Sequence, residues 1–265
     1  MNPEFLGAYL VLGLVAGFVA GLLGVGGGLI IVPALIGLFD AQGVSPAIQP
    51  HLALGTSLAS ILFTSLSSVR AHHRHGAVDW STLKKIASGI VCGTLAGAWL
   101  ASLIPARPLK IFFVAFLFYA ALQMALNLKP KPSRELPGRP GMFGTGAIIG
   151  SVSSWVGIGG GTLSVPFLAW CNVPLHRAIG TSAAIGFPIA AAGAAGYLIG
   201  GWQHAGLPPG SLGFVSLPAL GGIALGSLLT APLGAKTAHA LPVAKLKTIF
   251  ALLLLLLAIR MTFAL

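Results

Sequence analysis

Two glycine-rich pentapeptides are the residues of this chain with the clearest capacity for chemistry. Residues 24–28 read GVGGG and residues 157–161 read GIGGG; these are called the first and second glycine clusters. Each interrupts a long apolar stretch, and a proline (Pro33 or Pro166) follows five residues after the last glycine. Glycine tolerates positive φ and close backbone approach. The pattern therefore predicts unwound backbone, with free amide groups, inside apolar segments.

An anion is the ligand that such breaks suit. A new helix is expected after each cluster, over 29–38 and 162–170, and its N-terminus would direct free N–H groups and a positive dipole end at the break. The alternative is that the glycines only permit tight helix crossing. Two clusters in register favour a binding site, because packing alone does not need three adjacent glycines. The candidate backbone ligands are Gly26, Gly27, Gly28, Gly159, Gly160 and Gly161.

Hydroxyl groups follow both breaks at matching positions. Gly-Thr-Ser occurs at 55–57 and again at 180–182, each at the start of the next apolar segment. A hydroxyl can donate to an oxyanion without placing a fixed charge in a membrane. The alternative is that each hydroxyl bonds a carbonyl of its own helix. Pairing across the chain favours a binding role for Thr56, Ser57, Thr181 and Ser182.

Composition places these motifs in a membrane. Of 265 residues, 56% are hydrophobic and 7% are charged, with a mean hydropathy of +0.94, too few charges to cover a soluble domain. The prediction is an all-α polytopic membrane protein. Its net charge of +11 resides in short connectors, which indicates membrane orientation and no nucleic-acid partner. Because no Lys or Arg precedes Arg70, the first apolar segment is expected to be retained and not cleaved as a signal peptide.

The chain divides into two similar halves. Further matches are the GxxxG pairs at 93–97 and 222–226 and the Leu-Lys pairs at 109–110 and 246–247, in the same order. We predict one membrane domain made of a repeat at 1–128, a basic Pro-rich linker at 129–140 and a repeat at 141–265. About eight apolar segments are expected, over 5–39, 51–69, 86–104, 109–127, 141–172, 178–200, 211–234 and 246–264.

Charge distribution bears on whether the repeats are parallel or inverted. If all eight segments cross the membrane, nine Lys and Arg lie on one face and six on the other. If segments one and five are re-entrant, the halves are inverted and the division is twelve against three. The second arrangement obeys the positive-inside rule better. We therefore favour inverted repeats, each opening with a Gly-broken or re-entrant helix, in a multi-pass protein of the cell (inner) membrane.

Other chemistry has little support in the sequence. The four carboxylates, Glu4, Asp40, Asp79 and Glu135, lie at segment ends or in connectors, so neither a buried proton relay nor an acidic cation site is expected. The three histidines of residues 72–80 lack the ligand spacing of a metal site. No metal, cofactor or catalytic residue is therefore predicted, and Cys92 and Cys171 imply no disulfide framework.

In combination, the motifs resemble the TauE/SafE family of sulfite exporters, the four-segment-repeat sulfonate and sulfite transporters. The matching residues are both glycine clusters with their prolines, both Gly-Thr-Ser triplets and the basic loop 73–80. The second half lacks a close copy of that loop; its nearest counterpart is 203–206. The resemblance implies export of sulfite or a related sulfur oxyanion or organosulfonate, and it leaves coupling open.

Three other functions remain open. An anion channel would use the same helix dipoles without alternating access. An intramembrane hydrolase would need Ser57 or Ser182 paired with His51 or His176, and no GxSxG signature supports one. A membrane assembly factor would not require two matched breaks. The partners we expect are a small sulfur-containing anion, the lipid bilayer and, as an open possibility, a second copy of the chain.

Overall fold

The computed structural model describes residues 3–23, 26–126, 133–202, 204–238, 243–263 and 265 of the chain. Ten helices form within these ranges, as the sequence predicts for an all-α protein. They are α1 (Pro3–Leu23), α2 (Gly28–Ala41), α3 (Gln49–Arg74), α4 (Trp80–Leu103), α5 (Ala106–Ala125), α6 (Arg139–Val156), α7 (Gly161–Trp170), α8 (Leu175–Gly200), α9 (Leu217–Ala238) and α10 (Val243–Phe263). A two-residue antiparallel pairing of β1 (Ser211–Leu212) with β2 (Val215–Ser216) precedes α9.

Both glycine clusters interrupt a helix, as predicted. Gly26 and Gly27 have φ values of 81° and 76°, and Gly157 has a φ of 67°, in the left-handed region that glycine occupies at little cost. Gly24 and Val25 lie outside the described residues. The breaks divide the predicted first and fifth segments into α1 and α2, and into α6 and α7.

Two pairs of helices cross at very short range because small residues line them. In the pair α4 and α6, a Cβ added at Gly89, Gly93 or Gly97 would collide with Phe143, Ala147 or Ser151. The register of these contacts shows that α4 and α6 run in the same direction. The α1–α9 pair is built alike, since Gly222 lies against Tyr9 and Gly234 against Phe18. Small residues permit this approach where lipid supplies no hydrophobic driving force.

The long helices α3 and α8 form the centre of the molecule and run antiparallel. Leu58 of α3 lies beside Gly193 of α8, and Ser65, two turns further along α3, lies beside Gly186. Residues 49–61 of α3 are all buried. Six helices in the described part are long and apolar enough to cross a membrane: α1, α3, α4, α5, α8 and α9. Residues 129–132 of the predicted linker lie outside the described residues.

We expect Gly93→Ala to destabilise the protein, because the added methyl group would overlap the backbone of Ala147 at the α4–α6 crossing. Overpacking of this kind costs about 1–3 kcal/mol. The matched control is Gly144→Ala in α6, where an added Cβ has no atom within 4 Å. Thermal unfolding of the purified proteins in detergent should show a lower midpoint for Gly93→Ala alone. Equal midpoints would contradict the crossing.

Candidate functional site

The two glycine clusters, 133 positions apart in sequence, meet in the middle of the molecule. A Cβ built on Gly26 would lie 3.4 Å from the amide nitrogen of Gly159. One built on Gly159 would lie 3.5 Å from Cγ2 of Ile61 and 3.9 Å from the Cα atoms of Gly26 and Gly186. The two breaks therefore converge here with the Ile61 side chain of α3 and the backbone of α8 at Gly186, and glycine at positions 26 and 159 leaves the space between the breaks free of side chains.

Neither helix that leaves this convergence has a side-chain cap at its N-terminus. The N-cap of α2 is Gly27 and that of α7 is Gly160. The first turn of a helix contains N–H groups without intrahelical partners, and a glycine supplies no side-chain acceptor for them. Two positive helix ends thus begin at the same convergence, which is the electrostatic environment predicted from the sequence.

The two candidate serines occupy different hydrogen-bonding situations. Ser57 is fully buried and its hydroxyl donates to the carbonyl oxygen of Gly157 at 2.8 Å, which ties α3 to the second break. The carbonyl of Ser182 lies 2.6 Å from a Cβ built on Gly160, so Ser182 adjoins the same break from α8. The Ser182 hydroxyl is buried and has no hydrogen-bond partner among the described residues.

The two candidate threonines have a structural task that the sequence did not reveal. Thr56 Oγ1 accepts a hydrogen bond from the backbone N–H of Ser216, and Thr181 Oγ1 accepts one from the N–H of Asp79, each at 2.9 Å. Each bond joins the start of one long helix to the connector after the other. Both threonines are fully buried. Accepting these bonds leaves each hydroxyl proton free to be donated elsewhere.

Two further hydroxyls at the second break escaped the sequence reasoning. Thr162 and Ser164 lie in the first turn of α7, are at most 4% exposed, and have no hydrogen-bond partner in the described part of the chain. Aligning the two clusters would have identified them, because their counterparts in the first half are Leu29 and Ile31. The structure therefore places more unsatisfied hydroxyls beside the second break than beside the first.

Asp79, in the basic loop, caps a helix. Its carboxylate accepts hydrogen bonds from the N–H groups of Ser81 and Thr82 at the start of α4 and from the Thr82 hydroxyl. Partial burial raises the pKa of this carboxyl, but those hydrogen bonds, together with the charge of Arg177, outweigh burial and hold the pKa below its usual value. Within the described residues, no group of three His, Cys, Asp or Glu side chains is placed to hold a metal ion.

The geometry does not form the serine–histidine pair that a hydrolase would need. His51 Nε2 lies 2.9 Å from the carbonyl oxygen of Ile104, and its ring packs against Phe214, while the Ser57 hydroxyl is used on Gly157. His176 is exposed at the start of α8, and Ser182 has no partner among the described residues.

Comparison of the sequence with known proteins identifies its family and several relatives. The family model described as sulfite exporter TauE/SafE matches residues 9–261. A "Probable membrane transporter protein" of Haemophilus influenzae is 37% identical over 255 residues, covering 95% of this chain and 96% of the relative. The "Probable membrane transporter protein YunE" of Bacillus subtilis is 31% identical over 225 residues, covering 76% and 82%. No solved structure matches the chain significantly.

Thr56→Val should destabilise the protein, because it removes the acceptor for the buried Ser216 N–H while keeping the side-chain shape. An unsatisfied buried donor costs about 1–3 kcal/mol. Thr56→Ser retains the oxygen and is the control. Thermal unfolding in detergent compares the three proteins. If valine and serine variants unfold together below wild type, the methyl group matters and the hydrogen bond does not.

Proposed function

The chain belongs to the TauE/SafE sulfite exporter family and is a membrane transporter, and from that premise we propose that its substrate is sulfite or a related small sulfur oxyanion or organosulfonate. The observation that carries the proposal is the convergence of both glycine clusters, where two uncapped helix N-termini begin beside buried hydroxyls. Transport, and no catalytic reaction, is the activity we assign. Export is the direction that the family description implies.

Binding at this site would use partial charges alone. The candidate ligands are the amides of Gly26–Gly28 and Gly159–Gly161, with hydroxyls of Thr56, Ser57, Thr181 and Ser182. Oxyanion oxygens accept hydrogen bonds from both kinds of donor, and helix N-termini favour negative charge. No Lys, Arg or His lies among these candidates. An anion held without a full countercharge is released more readily, which suits passage through the site.

We propose that the two halves are inverted repeats. Equivalent helices α3 and α8 are antiparallel, and their starts lie at opposite ends of the molecule. Helix α1 runs beside α9 in the same direction, and α9 begins next to the start of α3. The hairpin α1–α2 therefore begins and ends at the end of the molecule where α3 begins. The hairpin α6–α7 likewise begins and ends at the opposite end of the molecule, where α8 begins. In the arrangement we propose, both hairpins are re-entrant, α1 included although its length would allow it to cross a membrane, and their tips meet at the glycine clusters.

This topology also orients the protein. Of the thirteen Lys and Arg residues in the part of the chain that the structure describes, only Arg107, Lys110 and Arg260 fall at the end of the molecule where α1 and α3 begin. The other ten belong to the opposite end, which the positive-inside rule assigns to the cytoplasm. We propose a multi-pass protein of the bacterial-type inner membrane with this orientation.

The substrate itself is the best candidate for any proton coupling. The described spans contain no carboxylate near the two breaks, since Asp40 and Asp79 lie at helix ends. Sulfite titrates near neutral pH, so a proton can cross as part of the substrate. Under this hypothesis, a pH gradient should accelerate sulfite flux in one direction; equal flux in either gradient direction would argue against it.

The deciding experiment measures uptake and efflux of sulfite, thiosulfate, sulfate and a sulfonate in proteoliposomes. Selective and saturable sulfite flux supports the carrier; linear, non-saturating flux at high rate supports the alternative, an anion channel. No flux of any of these anions from folded, inserted protein would contradict the proposal and favour an assembly factor.

Gly159→Ala should abolish or greatly reduce sulfite transport while the protein remains folded. Its φ lies outside the left-handed region, and the added methyl group would make only ordinary contacts, the nearest at 3.5 Å to Ile61. That methyl group would nevertheless occupy the space between the breaks. Gly144→Ala is the matched control. Wild-type flux in both variants would remove the binding site from the glycine clusters.

Thr162→Val should raise the sulfite concentration needed for half-maximal flux about five- to tenfold, since one neutral hydrogen bond contributes about 1 kcal/mol. Thr94→Val is the control, because Thr94 is also buried and its hydroxyl has no partner among the described residues, but it lies on α4 against Gly150 of α6. An equal effect of both substitutions would indicate a packing defect and exclude a specific contact.

A further inference from the structure

A cavity of about 430 Å³ lies between the N-terminal turns of α4 and α6, away from the glycine clusters. Its lining residues are Lys84, Lys85, Ser88, Arg139 and Phe143. The cavity and the clusters are separated along α4. Trp155, which directly precedes the second break, donates its indole N–H to the carbonyl of Gly97, about 20 Å along the helix axis from Lys84.

Three positive charges converge on this cavity without compensation. Neither Lys84, Lys85 nor Arg139 forms an ion pair with any residue that the structure describes. Arg139 is moreover the first residue of α6, where the positive end of the helix dipole disfavours a cation. The nearby Asp79 carboxylate is engaged by the first turn of α4. The cavity therefore offers three unpaired positive charges to an anion from outside the chain.

The close crossing of α4 and α6 brings the three basic residues to the same cavity. The lysines and the arginine are more than 50 positions apart in sequence, and they are brought together because Gly89 and Gly93 of α4 lie directly against Phe143 and Ala147 of α6. Three separate long side chains on a surface would spread apart. Here the close helix pair, stabilised by the hydrogen bond from Ser151 to the Gly93 carbonyl at 2.9 Å, fixes the backbone positions from which the three side chains extend.

Apolar surface adjoins the cations. Phe143 lines the cavity and is 44% exposed, and Val91 and Leu95 continue an exposed apolar stripe along α4 one and two turns beyond Ser88. A soluble anion would gain nothing from that stripe, whereas the acyl chain of a lipid would cover it. Basic pockets between membrane helices on the cytoplasmic side bind anionic headgroups.

We propose that this cavity binds the headgroup phosphate of an anionic phospholipid, with its acyl chain along the exposed stripe of α4. The proposal does not depend on the transported substrate. In detergent micelles, phosphatidylglycerol should raise the unfolding midpoint of the wild-type protein more than phosphatidylcholine does. Native mass spectrometry should detect retained phosphatidylglycerol.

The test compares charge-matched double variants on the same face. Lys84→Gln/Lys85→Gln should weaken phosphatidylglycerol retention roughly thirty-fold, from the contribution of each basic residue near an anionic headgroup. Arg70→Gln/Arg74→Gln, which removes two exposed charges from the end of α3, should leave it unchanged, and Lys84→Arg/Lys85→Arg should preserve it.

Three results would overturn the proposal. Equal losses in the two glutamine variants would mean a diffuse basic surface and no defined site. Equal stabilisation by soluble glycerol phosphate would mean a site for free anions. Absence of any preference for phosphatidylglycerol over phosphatidylcholine in the wild-type protein would mean that the cavity binds no anionic lipid.

Discussion

The structure depends on one constraint: backbone polar groups that leave a helix inside an apolar environment must find partners within the protein or with a ligand. Both glycine clusters interrupt a regular helix, and the fold places the two breaks against each other. The second break obtains one partner from the Ser57 hydroxyl, which donates to Gly157. The groups that still lack partners within the described residues are the N–H groups at two helix N-termini and several buried hydroxyls, and these are the groups available to bind a ligand.

Close packing of glycine-lined helices makes this central arrangement possible. The pairs α4–α6 and α1–α9 each join a helix from one half of the chain to a helix from the other. Each hairpin is supported by the opposite half. The same crossing also aligns charged residues at its end, which is why a packing motif and a basic cavity occur on one helix pair.

Much of this architecture could be predicted from the sequence, and the exceptions have physical causes. The helix breaks followed from glycine, the membrane setting from composition, and the family from motifs that the family model confirmed. The contact between Gly26 and Gly159 could not be predicted, because it joins residues 133 positions apart through tertiary packing. The roles of Thr56 and Thr181 as acceptors depend on connectors whose paths the sequence does not specify. Thr162 and Ser164 are not part of a motif shared by the two halves, because the equivalent residues of the first half are Leu29 and Ile31, so the repeat pattern does not predict them.

The two threonine bonds have a mechanical consequence. Thr56 fastens the start of α3 to the connector after α8, and Thr181 fastens the start of α8 to the connector after α3. Sliding of α3 along α8 would break both of these hydrogen bonds, whereas a hairpin can tilt against the pair without breaking either one. We therefore expect the α3–α8 pair to resist sliding, and any rearrangement during transport to occur in the hairpins packed around it.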